Sequence, residues 1–94
     1  MYYDSIPSSW LPISVGLDLP IHNGKVVEWF RGEGEVYFND PLCKIEWNLG
    51  FGIGTIVEDV SSPAFGLLHI VKEVGDEVDE RDNIVAYIEP RYKA

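Results

Sequence analysis

Asp40-Pro41-Leu42-Cys43-Lys44-Ile45-Glu46 and Ile84-Val85-Ala86-Tyr87-Ile88-Glu89 are two short apolar runs, each entered from a polar turn. Working outward from them, the chain repeats itself. Gly24, Val36, Asp40 and Leu42 recur as Gly66, Val78, Asp82 and Ile84, each shifted by 42 positions. One half reads Gly24-Lys25-Val26-Val27-Glu28-Trp29-Phe30, then Gly34-Glu35-Val36. The other reads Gly66-Leu67-Leu68-His69-Ile70-Val71-Lys72-Glu73, then Val74-Gly75-Asp76-Glu77-Val78. Such repetition predicts two copies of one small β unit packed face to face.

Local patterns agree. Leu11, Ile13 and Val15 alternate with Pro12 and Ser14, and Ile84, Ala86 and Ile88 alternate in the last run. Residues 53–58 carry enough β-branched side chains to predict a strand, with Ile53, Thr55 and Val57 on one side and Gly54, Ile56 and Glu58 on the other. Apolar residues nowhere hold helical spacing, and Pro7, Pro12, Pro20, Pro41, Pro63 and Pro90 interrupt any candidate helix. Asn23-Gly24, Asn39-Asp40-Pro41 and Gly75-Asp76 supply turn residues. The fold class is all-β.

Ninety-four residues suffice for one small core, with 46% hydrophobic residues and a mean hydropathy near zero. Residues 1–10 read as an extension, 11–90 as the domain and 91–94 as a tail. Tyr2, Tyr3, Ile6 and Trp10 are too apolar for an idle tail, so the extension is expected to pack on the domain or a partner. A net charge of −9 argues against nucleic acid, whose affinity comes from cations that neutralise phosphates. No apolar run is long enough to span a bilayer, and the N-terminus lacks the basic and apolar regions of a signal peptide. A cytoplasmic location is expected. The single cysteine, Cys43, excludes an internal disulfide and a multi-cysteine zinc site, and is expected to pack in a strand.

Taken in order, these segments resemble the biotinyl/lipoyl domain family, most closely the lipoyl domains of 2-oxo-acid dehydrogenase acyltransferases. The opening half supplies Gly24 to Phe30, then Glu33-Gly34-Glu35-Val36, then Asp40 to Glu46. The closing half supplies Ser62-Pro63-Ala64-Phe65-Gly66, Ile70-Val71-Lys72-Glu73, Val74-Gly75-Asp76-Glu77-Val78 and Ile84 to Glu89. The resemblance covers about residues 11–90. It implies a flattened sandwich of two antiparallel four-stranded sheets with quasi-twofold symmetry. It also implies a tight hairpin joining the halves, which in carriers of the family presents the modified lysine.

Here the chain departs from the pattern. Ile45-Glu46 is followed by Trp47-Asn48-Leu49-Gly50, so Leu49 stands where the lysine is expected, and leucine has no amine to acylate. The connection from Ile45 to Pro63 is longer than the family norm, so the tip is rebuilt, and Gly34-Glu35-Val36 is one residue shorter than Gly-Asp-x-Val. No cofactor is therefore expected. The tip's apolar residues, Trp47, Leu49, Phe51 and Ile53, either fold back to cap an open end of the sandwich or form an exposed patch that docks onto a partner. The resemblance makes that partner a larger metabolic enzyme or multienzyme complex, with this chain a non-catalytic accessory subunit. The alternative is a lipoyl or biotinyl carrier modified on an atypical lysine, Lys44 or Lys93.

Other chemistry is sparsely represented. Gly50, Gly52 and Gly54 suggest a phosphate loop only superficially, because strand-like Thr55-Ile56-Val57-Glu58 follows instead of a helix. His22 and His69 lack a partner at metal-ligand spacing, and Trp29 reads as a core anchor. Glu73, Asp76, Glu77, Asp79, Glu80 and Asp82 form an acidic run that reads as a solvated turn, since their spacing does not follow a calcium loop. No nucleophile–base pair is visible, so no enzyme activity is expected.

Overall fold

A computed structural model describes residues 6–16 and 23–91 of the chain. Eight strands run in order: β1 (Leu11–Ser14), β2 (Asn23–Trp29), β3 (Gly34–Val36), β4 (Pro41–Asn48), β5 (Thr55–Ser61), β6 (Gly66–Ile70), β7 (Glu77–Val78) and β8 (Ile84–Pro90). They form two antiparallel four-stranded sheets, ordered β1-β8-β6-β3 and β5-β4-β2-β7. Exchanging β1 with β5, β2 with β6, β3 with β7 and β4 with β8 converts one order into the other. The internal repeat is therefore a quasi-twofold relation between the sheets of a flattened sandwich. Among the described residues there is no helix, and hence none long and apolar enough to cross a membrane.

Val26, Val36, Leu42, Ile45 and Trp47 from the first half meet Leu68, Val78, Val85, Ala86 and Ile88 from the second in one buried cluster. Simple alternation does not generate this core, because Leu42 and Cys43 are both buried, as are Val85 and Ala86. Bulges explain both doublets. Pairing to β5 skips from Pro41 to Cys43, passing over Leu42, and pairing to β1 skips from Ile84 to Ala86, passing over Val85. A bulge sets two residues against one and turns an extra side chain inward. Leu42 thus matches Val85 rather than Ile84, a shift of 43, so the repeat gains one residue before β8.

The residues framing the halves obey the same symmetry. Gly24 lies opposite Trp47 and Gly66 opposite Pro90, where a side chain at either glycine would press on the neighbouring strand. Val36 and Val78 close β3 and β7 and are buried. Trp29 rests against the core, its indole N–H donating to the Lys72 carbonyl (2.7 Å). From the N-terminal extension, Trp10 stacks on His69 at 4.2 Å between ring centroids. Tyr2, Tyr3, His22 and Lys93 lie outside the described residues.

Candidate interaction site at the β4–β5 hairpin

The hairpin joining the two halves is built from its last ladder pair, Asn48 and Thr55. Beyond it, the Leu49 N–H donates to the Gly54 carbonyl (3.0 Å) and the Ile53 N–H to the Gly50 carbonyl (2.9 Å). Asn48 Oδ1 accepts the Gly50 N–H (2.8 Å) and steadies the entry to the turn. The central residues, Phe51 and Gly52, have φ of 51° and 72°. Two consecutive left-handed residues give the two-residue turn whose twist suits a hairpin, a turn that normally selects Asn or Gly at both positions. Glycine fills one of them here and Phe51 the other. Phe51 is 93% exposed and Ile53 69% exposed.

The four apolar residues expected at the tip therefore divide. Trp47 is no surface contact, because only 1% of it is exposed. It follows Cys43 and Ile45 on the inward side of β4, while Lys44, Glu46 and Asn48 face outward. Opposite it stands Gly24, where a Cβ would come within 2.6 Å of Trp47 Cε3, so the glycine makes room for the ring. Leu49 is half-buried at the base of the turn, and Phe51, two residues on, occupies the tip. Ile53 belongs to the loop rather than to a strand, since β5 begins at Thr55 after Gly54 at φ 115°. Trp47 thus belongs to the core, whereas Phe51 and Ile53 are exposed rather than folded back over the end of the sandwich.

Glu58 completes this end and was not singled out by the sequence. Its Oε1 accepts the Trp47 indole N–H (2.8 Å) and the Gly16 backbone N–H (2.8 Å). One carboxylate thereby ties the end of β1, the buried tryptophan and β5 together. The signal lay in the inward phase of Ile56, Glu58 and Val60. An acidic residue at an inward position calls for donors, and the indole and the backbone supply them.

The remaining candidates resolve into structural roles. Lys44 lies mid-strand, between Glu28 and Asp59 in register, with its Nζ over the Phe30 ring at 5.7 Å. His69 Nε2 lies 3.1 Å from Glu89 Oε1. In the acidic run, Asp76 accepts the Glu73 N–H, Asp79 accepts those of Arg81 and Asp82, and Asp82 pairs with Lys72. A second exposed apolar turn carries Tyr37 and Phe38, with Tyr37 against Phe65. The Glu35 charge, first among the causes, raises the Tyr37 phenol above its ordinary value. A depression of about 250 Å³ at the hairpin base is lined by Asn23, Lys25, Glu46, Asn48, Thr55 and Glu77.

Cys43 is fully buried. Burial, and then the nearby Glu58 charge, pushes its thiol up to about 12 from an ordinary 9. Below about 9 it is neutral in both the folded and unfolded chain. Between there and about 12 the unfolded chain releases the proton and the folded chain retains it, so stability falls as pH rises. Urea titrations at about pH 8 and about pH 10 should show roughly 1 kcal/mol of this loss, absent from Cys43→Ala. An equal loss in that variant would remove the thiol as its cause.

Comparison with protein-family models, curated proteins and solved structures gives no match to this chain.

Proposed function

We propose that this chain is a non-catalytic, unmodified lipoyl-like domain that docks onto a larger protein through its β4–β5 hairpin. The observation that carries the reading is Phe51, a bulky aromatic residue held at φ 51° and 93% exposed. The left-handed conformation costs an L-residue about 1–2 kcal/mol. Backbone strain retained at an exposed tip is a reason to look for function there. Together with Ile53 the ring offers an aromatic anchor on an otherwise acidic chain, the type of side chain enriched at interface centres.

The kind of partner comes from the resemblance to biotinyl/lipoyl domains, with which the exchange of sheet orders and the hairpin between halves accord. A carrier domain is shaped for recognition by large enzymes, and docking can outlive the prosthetic arm. On this reading the partner is a cytoplasmic metabolic enzyme or multienzyme complex, with neither nucleic acid nor membrane involved. Carriage on Lys44 gains no support from a half-buried mid-strand position.

Phe51→Asn separates docking from folding. Asparagine tolerates the left-handed turn, so thermal and urea unfolding should show a gain of about 1 kcal/mol. Co-purification of the partner from the native host should be lost in the same variant and weakened in Ile53→Ser. Undiminished co-purification by both variants would overturn the hairpin as the docking site.

A further inference from the structure

The sandwich has one side on which β1 ends one sheet and β5 ends the other. A groove of about 400 Å³ runs between these strands. Ile13, Ser14, Val60 and Ser61 line it, Ile13 and Val60 being buried, and Glu58 and Asp59 supply its charge. The two edges differ. β1 is short and carries Pro12, which has no N–H to offer an added strand. β5 is seven residues long without a proline, and among the described residues no backbone hydrogen bond reaches its outer edge.

The charge on that edge is one-sided. Glu58 Oε1 is committed to Trp47 and Gly16. Asp59 is exposed and makes no ion pair or side-chain hydrogen bond among the described residues. Its cross-strand neighbour Lys44 holds its ammonium over Phe30 instead.

We infer that the outer edge of β5 accepts an extended cationic segment of a partner protein as an added strand. Main-chain hydrogen bonds would supply affinity, and alternate side chains specificity. Residues on the inner side enter the groove over Ile13 and Val60, which selects small apolar groups. Those on the outer side stand beside Asp59, which selects Lys or Arg. A second copy of this chain is the wrong occupant: edge-to-edge pairing would set Glu58 and Asp59 of one copy against those of the other, on molecules that each carry a charge of −9. This surface is distinct from the hairpin tip.

The test titrates the full chain with a short capped peptide alternating valine and lysine, following backbone amides by NMR. Saturable shifts are expected along β5 and at Ile13 and Ser14. Asp59→Lys should weaken binding about tenfold. N-methylation along the peptide edge that faces β5 should abolish it, whereas Phe51→Asn should bind as the parent does. Shifts confined to other strands, equal binding of a valine–glutamate peptide, binding that survives N-methylation, or loss of binding in Phe51→Asn would each overturn the inference.

Discussion

Trp47→Ala is expected to lower stability by about 3–5 kcal/mol, a large fraction of the total for a domain of this size. The indole is among the largest side chains in the core and is 1% exposed. Its removal opens a cavity between β4 and Gly24, and the surrounding strands can collapse only partly into it. The loss also strips Glu58 of one of its two donors, leaving a part-buried carboxylate less well paired. Trp47→Phe isolates that second contribution, keeping most of the packing while deleting the N–H, and should cost about 1.5–3 kcal/mol. Urea unfolding of both variants gives the two values. A Trp47→Ala protein as stable as the parent would refute the inward placement of the ring.

The second large effect falls on Gly66. A methyl group there runs into the Glu89 carbonyl and comes within 2.7 Å of Ile88 Cγ2, so the β6–β8 backbone must move. Overpacking of this kind costs about 1–3 kcal/mol, and a backbone obstacle places Gly66→Ala at the upper end. The quasi-equivalent Gly24→Ala should also destabilise, because a Cβ there would lie 2.8 Å from the Glu46 carbonyl as well as against Trp47. Gly32 supplies the control. A Cβ at that position meets nothing within 4 Å, so Gly32→Ala should change stability by no more than about 0.5 kcal/mol. Equal effects at all three would contradict close approach as the source of the cost.

Much of this fold was legible because its two halves say the same thing twice. The turn residues before β4 and β8, the paired glycines and the closing valines lie where the repeat placed them. The bulges at Leu42 and Val85 were not legible, since a bulge is a property of the pairing and leaves the composition of its strand unchanged. In each half the bulge turns two consecutive side chains inward, and the shift of 43 comes from the residue gained before β8. At the hairpin, the run from Trp47 to Ile53 looked uniform because apolar residues there alternate with Asn48, Gly50 and Gly52. What divides it is phase and chirality. Trp47 still obeys the inward phase of Ile45, whereas residues beyond Asn48 leave the ladder. The left-handed turn then carries Phe51 outward and puts Leu49 at the base, a displacement that identity alone does not encode. Glu58 was hidden for the opposite reason, as a charged residue at an inward position whose donors come from Gly16 and Trp47, distant in sequence.

The most direct measurement is the intact mass of the protein isolated gently from its native host together with its associated chains. The expected result is the unmodified sequence mass, accompanied by a larger partner in fixed stoichiometry that Phe51→Asn releases. A mass raised by a lipoyl or biotinyl group would contradict an arm-less docking domain and make the chain a carrier.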